Sequence, residues 1–111
     1  MALDLKDDPA LIDAYENIHR VGNIWPEIPV GIRDGGVEDM QIYRIGNHLF
    51  MLVDIDSTET IASVFDKIGR LPKQKEWAEF MGTFQQKLKE AGPNEHWVTM
   101  SPVFKLKDHL C

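Results

Sequence analysis

The spacing of hydrophobic and polar residues along the chain predicts an alternation of strands and helices. Residues 2–6 alternate in the manner of a short strand. Asp8 and Pro9 then begin a helix, because Asp caps helix N-termini and Pro fits the first helical turn. Gly22 interrupts this helix, and a second helical segment spans 26–35.

The middle of the chain predicts a β-hairpin followed by a third helix. Residues 37–44 and 48–55 are typical of strands, and Gly46-Asn47 between them is typical of a tight two-residue turn. Asp56 then begins the third helix, which ends at Gly69.

The last part of the chain predicts one long helix and one strand. The helix runs from Pro72 to a stop at Gly92-Pro93, and its apolar stripe consists of Trp77, Phe80, Met81, Phe84 and Leu88. A final strand is expected over 97–106, where Pro102 indicates an edge position or a bulge.

The resulting order of strand, helix, strand, strand, helix, strand predicts an α+β fold. It is the split βαβ, ferredoxin-like arrangement, in which the helices cover one face of a four-stranded antiparallel sheet. We expect a single domain over residues 1–111. The continuously apolar run 49–53 indicates a strand covered on both faces, and the helices can cover only one. We therefore expect a homodimer whose sheets pack face to face, as in a dimeric α/β barrel.

The composition indicates which kinds of partner and which cellular compartment to expect. The 111 residues carry 12 Lys and Arg against 18 Asp and Glu, a net charge of −6, which argues against nucleic acid or an anionic membrane as the partner. No apolar run approaches the roughly 20 residues of a membrane span, and no signal peptide opens the chain. The single cysteine, Cys111, permits no intramolecular disulfide and suits a reducing cytoplasm, where we expect the protein to reside.

Tyr15 and His19 are the first candidates for chemistry. They lie four residues apart on the first helix, so their side chains share a face that borders its apolar stripe. With an ordinary pKa near 6.5, a histidine there can give and take protons at neutral pH. The alternative is a partly buried histidine that bonds the backbone near the helix end.

The chain also has three tryptophans, whose large side chains are costly to expose to water unless they pack against other residues or bind a ligand. Trp25 is either a packing anchor or the wall of a pocket. Trp77 is either core or, with Glu76 beside it, a platform for a sugar, since carboxylates accept from hydroxyls and aromatic faces pack on C–H bonds. Tyr43 belongs either to a pocket or to a dimer core, and Trp97 is the best candidate for plain packing.

No other motif suggests a cofactor or a metal. His48, His96 and His109 show no ligand spacing with one another or with Cys111, so no zinc site is expected. The sequence contains neither a glycine-rich phosphate loop nor a nucleophile elbow. At the end of the chain, Cys111 is a poor candidate nucleophile.

Taken together, these residues resemble the L-rhamnose mutarotases and their L-fucose-acting relatives, over nearly the whole chain from Leu3 to Leu106. The elements that carry the resemblance are Tyr15-x-x-x-His19, Trp25-Pro26-Glu27, Ile42-Tyr43-Arg44, and Glu76-Trp77 with Phe80-Met81. Each element is short, so the resemblance depends on their order and spacing along the chain.

The resemblance implies a dimeric α+β barrel of ferredoxin-like subunits that interconverts the α and β anomers of 6-deoxy-L-sugars without a cofactor. His19 matches the acid/base histidine of the family, Tyr15 a tyrosine that contacts substrate, and Trp77 the second of two adjacent pocket tryptophans. Glu76 stands in place of the first tryptophan, and Met40 in place of a strand tyrosine.

The Glu76-Trp77 pair resembles the L-fucose-acting branch, as does a segment between His19 and Trp25 that is two residues longer than in the rhamnose enzymes. Mutarotation opens the sugar ring and recloses it, which requires a general acid and a general base but neither metal nor redox cofactor.

Two other functions suit the fold: a dimeric α+β barrel monooxygenase, and a non-catalytic module that binds a small ligand.

Overall fold

A computed structural model describes residues 1–93 and 95–110, so Cys111 lies outside the described residues. These described residues form four helices and four strands, and a short 3₁₀ helix follows at Leu106–His109. In order, the elements are β1 Ala2–Leu5, α1 Pro9–Ile18, α2 Glu27–Asp34, β2 Val37–Ile45, β3 His48–Ile55, α3 Ile61–Gly69, α4 Gln74–Gly82 and β4 Gln85–Gln86.

The four strands form one antiparallel sheet in the order β2-β3-β1-β4, which confirms the ferredoxin-like α+β fold. The helices pack on one face of this sheet through two buried clusters. One cluster joins β1 and β3 to α1 and α4, and includes Leu3, Leu5, Leu49, Ile12, Tyr15, Met81 and Phe84. The other joins β2 to α3 through Val37, Val64 and Ile68.

The start of α1 agrees with the prediction. The Asp8 carboxylate accepts hydrogen bonds from the backbone N–H groups of Ala10 at 2.9 Å and Leu11 at 3.3 Å, and Pro9 occupies the first turn. Two N–H groups that the helix itself cannot satisfy are thereby paired. Tyr15, about two turns after the cap, faces the core.

The predicted start of α3 at Asp56 is wrong. Asp56 instead accepts from the backbone N–H and the hydroxyl of Thr58, both at 2.8 Å, and these bonds lower its pKa. The helix begins at Ile61, and its cap is Thr60, four residues after Asp56. The Thr60 hydroxyl accepts from the N–H of Ser63 at 3.1 Å. Both residue types cap helices well, and the local turn at Asp56 uses up its carboxylate.

The long helix predicted after Pro72 is also wrong at both ends. It runs only over Gln74–Gly82, and Gln85–Gln86, predicted to be helical, form the fourth strand. The reason is tertiary: the Phe84 carbonyl accepts from the N–H of Lys6 at 2.9 Å, and the chain then pairs with β1. Gly82 gives the helix a natural place to stop.

The strand predicted over 97–106 is reduced to a single bridge between Val98 and Ala2. β1 is only four residues long, and Gln85–Gln86 already occupy its edge beside Asp4 and Leu5. Little edge therefore remains for a further strand. Within the described residues, no helix has the length and apolar composition needed to cross a membrane.

The face of the sheet away from the helices, called here the open face, carries alternate residues of β2 and β3. Tyr43 pairs in register with Phe50, and the two are 55% and 39% exposed. Leu49 and Met51 alternate with Phe50 and point to the buried face. The apolar run 49–53 thus supplies both faces of the sheet. Tyr43 lies on the open face, on the side away from the helices.

Candidate active site

Six aromatic side chains pack in a ring between α1, α4 and the segment before α2. We call this set the aromatic cluster, and its members are Tyr15, His19, Trp25, Trp77, Phe80 and Phe84. The ring centroids of Tyr15 and His19 lie 4.2 Å apart, and those of His19 and Trp77 lie 5.3 Å apart. Four of the five predicted site residues therefore meet in one place.

Trp77 contacts three other members of this cluster. Its ring makes edge-to-face contacts with His19, Trp25 and Phe80, at interplanar angles of 69°, 71° and 78°. Trp25 lies 5.1 Å from Trp77 and stacks on Phe80 at 5.7 Å and 7°. Trp25 and Trp77 are both only half-buried, so each keeps accessible aromatic surface.

The backbone of α1 determines the protonation pattern of His19. Its Nδ1 lies 2.6 Å from the Tyr15 carbonyl oxygen, one helical turn earlier. A carbonyl can only accept, so Nδ1 carries the proton and the neutral imidazole has its lone pair on Nε2. The backbone bond expected of a structural histidine is thus present, and it leaves Nε2 available.

The Tyr15 hydroxyl and His19 Nε2 make no side-chain hydrogen bond to another described residue. Within the described part of the chain, every buried polar side-chain atom has a partner. His19 is half-buried and lies beside the half-buried Trp77, whereas Tyr15 is only 5% exposed. A donor–acceptor pair of this kind can address two oxygens of one small molecule.

Burial changes the acid–base properties of both groups. Loss of solvation lowers the pKa of His19 below its ordinary value of 6.5, and the bond to the Tyr15 carbonyl opposes this shift only in part. Burial raises the pKa of Tyr15 to about 12. At neutral pH His19 is accordingly an unprotonated base, and Tyr15 is a neutral hydroxyl that can donate a hydrogen bond.

Gln74, a buried polar residue, joins the two segments that carry the tryptophans. Its side-chain amide donates to the backbone carbonyls of Glu27 at 3.0 Å and Ile28 at 3.2 Å, and so fastens the start of α4 to the start of α2. Trp25 immediately precedes α2, and Trp77 lies in the first turn of α4. Gly31 leaves room for this contact, because a Cβ there would lie 2.3 Å from the amide nitrogen.

The motif Ile42-Tyr43-Arg44 supports α1 from the hairpin. Arg44 pairs with Glu16, the neighbour of Tyr15, and also donates to the Gly46 carbonyl at 2.7 Å. This pair ties the helix that carries Tyr15 to the end of β2. The contact joins residues 28 positions apart, so local spacing in the sequence does not predict it.

Glu76 lies outside the aromatic cluster, on its solvent side. It is exposed and lines a shallow cavity of about 290 Å³ together with Trp25, Pro26, Glu27 and Lys73. A neighbouring cavity of about 340 Å³ lies between α2 and the start of α4 and contains none of the predicted site residues. The link between Glu76 and the cluster is therefore Trp25, which belongs to both.

Met40 and Trp97 have packing roles. Met40 packs against the cluster of Val37, Val64 and Ile68, away from the aromatic cluster. Trp97 is half-buried against the same core as Tyr15. The sequence predicts Phe80 and Phe84 on the apolar stripe of Trp77; the spacing of three residues indicates that Phe80 shares its face, whereas Phe84 follows the end of α4 and joins the cluster through Tyr15 and Phe80. Among the described residues, no three His, Cys, Asp or Glu side chains are grouped as metal ligands.

Comparison with known proteins decides the family. A model described as L-rhamnose mutarotase matches residues 1–106. The chain belongs to the L-rhamnose mutarotase family. It is 32% identical over 106 residues to an L-fucose mutarotase of Xanthomonas campestris pv. campestris. The aligned region covers 96% of this chain and 85% of that protein.

Two further relatives also match most of the chain. An L-rhamnose mutarotase of Paraburkholderia phytofirmans is 28% identical over 103 residues, covering 89% of this chain and 87% of that protein. A Dictyostelium discoideum protein whose name states no activity is 35% identical over 109 residues, covering 95% of this chain and 86% of that protein. As a mutarotase-family member, the chain is an isomerase that acts on carbohydrates. The monooxygenase and the non-catalytic module gain no support from these matches.

Proposed function

We propose that this protein interconverts the α and β anomers of a 6-deoxy-L-hexose such as L-fucose or L-rhamnose. The observation that carries the proposal is the half-buried histidine at the end of α1, whose Nδ1 is held by the Tyr15 carbonyl so that its Nε2 is the unprotonated nitrogen. A base that is free at neutral pH and oriented by a backbone bond suits proton transfer at an anomeric hydroxyl.

The proposed reaction has two proton transfers and one bond cleavage. His19 Nε2 takes the proton from O1 as the bond between C1 and the ring oxygen breaks, and the Tyr15 hydroxyl donates a hydrogen bond to the ring oxygen as charge develops there. The imidazolium then delivers its proton to that oxygen, which yields the open-chain aldehyde. Rotation about C1–C2 and the reverse steps close the ring on the other carbonyl face, so atoms and charge balance.

The aromatic cluster and Glu76 supply recognition. The accessible surface of Trp77 offers a flat face for the C–H groups of a deoxy sugar, and Trp25 borders the cavity where Glu76 can accept hydrogen bonds from sugar hydroxyls. L-fucose is the first sugar to test, since the Glu76-Trp77 pair resembles the L-fucose-acting branch and the Xanthomonas relative is named for that sugar.

The test is an anomer-exchange panel by saturation-transfer NMR with L-fucose, L-rhamnose and their D-enantiomers. We expect the protein to accelerate exchange of at least one L-sugar well above the buffer rate, and the D-sugars to exchange at the buffer rate. Equal exchange with and without protein for all four sugars would contradict the proposal.

We further propose that the protein works as a homodimer whose sheets pack face to face. The support is the open face, on which Ile45 and Leu52 are 67% and 62% exposed beside Tyr43 and Phe50. Apolar residues grouped on one face of a sheet are costly in water and are normally covered. Analytical ultracentrifugation tests this directly, and a monomer at tens of micromolar protein would contradict it.

A further inference from the structure

A strained backbone conformation lies at the start of α4. Among the described residues, Lys73 is the one residue other than glycine whose φ is positive, with φ 68° and ψ −4°. It follows Pro72 in a turn in which the N–H of Gln74 donates to the carbonyl of Leu71 at 3.3 Å. A positive φ directly after proline makes this a type II turn, where glycine is favoured because a Cβ crowds the neighbouring backbone.

The chain thus has a lysine where glycine would be relaxed. The other positive φ values of the described chain belong to Gly22, Gly36 and Gly46. Within residues 1–93 and 95–110, no hydrogen bond or ion pair involves the Lys73 ammonium. Polar contacts within the fold therefore do not account for the strain, and strained residues of this kind gather at functional sites.

The Lys73 side chain lines the cavity of about 290 Å³ that Trp25 and Glu76 border, and Glu27 of α2 lines it as well. One ammonium, two carboxylates and the accessible surface of one indole are thereby brought together. In the part of the chain that the structure describes, Lys73 pairs with neither carboxylate. The cavity is close to the roughly 300 Å³ of the smallest ligand sites, which suits a monosaccharide.

The polar groups of this cavity complement one another. An ammonium can only donate hydrogen bonds, and a carboxylate can only accept them. Because a sugar hydroxyl does both, Lys73 and Glu76 can bind two neighbouring hydroxyls at the same time, while Trp25 packs on a C–H face. A charged partner makes each of these bonds roughly twice as strong as a neutral one.

We propose that Lys73 is a specificity-determining residue of the sugar site, whose ammonium donates to one hydroxyl while Glu76 accepts from a neighbouring one. The inference rests on the proposed anomer exchange and assigns Lys73 no part in proton transfer. Trp77 contacts both His19 and Trp25, so a sugar on Trp77 has the base at one end and this cavity at the other. L-fucose and L-rhamnose differ in configuration at C2 and C4, and the direction of those hydroxyls is what such a donor–acceptor pair distinguishes.

Removal of the ammonium tests the contact. Lys73→Met keeps the stem and the left-handed backbone, and it should raise the KM of the preferred L-sugar about tenfold with little change in kcat, since His19 is untouched. The ratio of kcat/KM between L-fucose and L-rhamnose should narrow by a similar factor. Lys73→Arg keeps the cation and should restore most of the affinity. Lys75→Met, at an exposed lysine of α4 outside the cavity, is the matched control and should leave KM unchanged.

Removal of the strain gives a readout that does not depend on catalysis. Lys73→Gly should keep the thermal unfolding midpoint at or above that of the wild type, because glycine adopts the left-handed backbone freely, while KM rises as in Lys73→Met. Glu79→Gly, in the middle of α4, is the control and should lower the midpoint by about 4 °C. A midpoint of Lys73→Gly as low as that of Glu79→Gly would overturn the inference, since the lysine would then stabilise the turn.

The remaining outcomes separate Lys73 from the function itself. Unchanged KM and sugar preference in Lys73→Met, or an equal loss in Lys73→Arg, would overturn the role of Lys73 and leave the anomer exchange of the wild type standing. Sugar binding is also measured by calorimetry. If the wild type binds an L-sugar without accelerating exchange, the proposed function is wrong, and the affinity of Lys73→Met still decides whether Lys73 contacts the sugar. A wild type that neither binds nor exchanges an L-sugar would overturn both.

Discussion

The Nδ1 atom of His19 donates a 2.6 Å hydrogen bond to the carbonyl of Tyr15, and this bond turns a residue at a helix end into an oriented base. A helix C-terminus normally leaves its last carbonyls without partners. Here one of those carbonyls fixes the imidazole tautomer. The same contact that makes His19 part of the structure therefore equips it for proton transfer.

Replacing His19 by Asn should abolish catalysis while keeping the backbone bond. The Asn amide can still donate to the Tyr15 carbonyl, but it has no basic nitrogen. We expect the protein-dependent exchange rate to fall by about 10²-fold or more, which is the usual contribution of a general base. His96→Asn is the matched control at an exposed histidine outside the cluster. Retention of near wild-type exchange in His19→Asn would exclude His19 as the base.

The lowered pKa of His19 predicts the acid limb of the pH profile. Catalysis requires the unprotonated imidazole, so the protein-dependent rate should fall only below pH 6.5. Tyr15, with a pKa of about 12, should add no alkaline limb between pH 7 and 10. Exchange is measured by NMR against protein-free buffer at each pH. A half-maximal rate above pH 7 would contradict the assignment.

The same shift predicts how stability depends on pH. The unfolded chain protonates its histidine near pH 6.5, whereas folded His19 takes its proton only at lower pH. Between these two values the unfolded state binds more protons, so the stability contributed by neutral His19 is lost as pH falls through this window. Urea titrations of the wild type and His19→Asn should converge with increasing acidity. Parallel curves from pH 7 to pH 5 would argue against a depressed pKa.

Tyr15→Phe should distinguish the contribution of the Tyr15 hydroxyl to catalysis from the contribution of its ring to packing. The ring is buried against Phe84 and stays in place, so we expect little change in folding stability. Loss of one hydrogen bond to the reacting sugar should lower kcat about tenfold, corresponding to ~1.4 kcal/mol. Tyr43→Phe on the open face is the control. Equal kcat in Tyr15→Phe and wild type would remove the hydroxyl from the mechanism.

Gln74 should act on substrate binding through the tryptophans. Gln74→Met keeps the length of the side chain and removes both bonds to α2, at a cost of about 1–3 kcal/mol in unfolding free energy. We expect KM to rise more than kcat falls, since Trp25 and Trp77 move apart while His19 keeps its own backbone bond. The near-ultraviolet circular dichroism of the tryptophan pair should weaken together with KM.

Gly31→Ala provides an independent route to the same effect. Its Cβ would displace the Gln74 amide, so it should raise KM without touching Gln74 itself, and the double variant should be no worse than the single ones. Gly69→Ala, where a Cβ meets nothing within 4 Å, is the matched control. Additive effects of Gly31→Ala and Gln74→Met would show that the two do not act through one contact.

Much of the fold follows from local patterns. The Asp8 cap, the hairpin turn at Gly46 and the helical spacing of Tyr15 and His19 each depend on residues close in sequence, and each is found in the structure. The predicted helix start at Asp56 failed for a local reason too, because two good capping residues, Asp56 and Thr60, compete within one segment.

The sequence by itself determined the order of most elements, the α+β class, and the candidate pair Tyr15 and His19, because period and capping are local properties. Only the tertiary structure decided where the fourth strand lies, since Gln85–Gln86 leave the helical pattern to pair with β1. It also decided that Trp77 meets His19, that Trp25 packs on Trp77 and Phe80, and that Gln74 ties the start of α4 to the start of α2. These contacts join residues far apart in the chain, and their energies depend on which surfaces meet rather than on any local spacing.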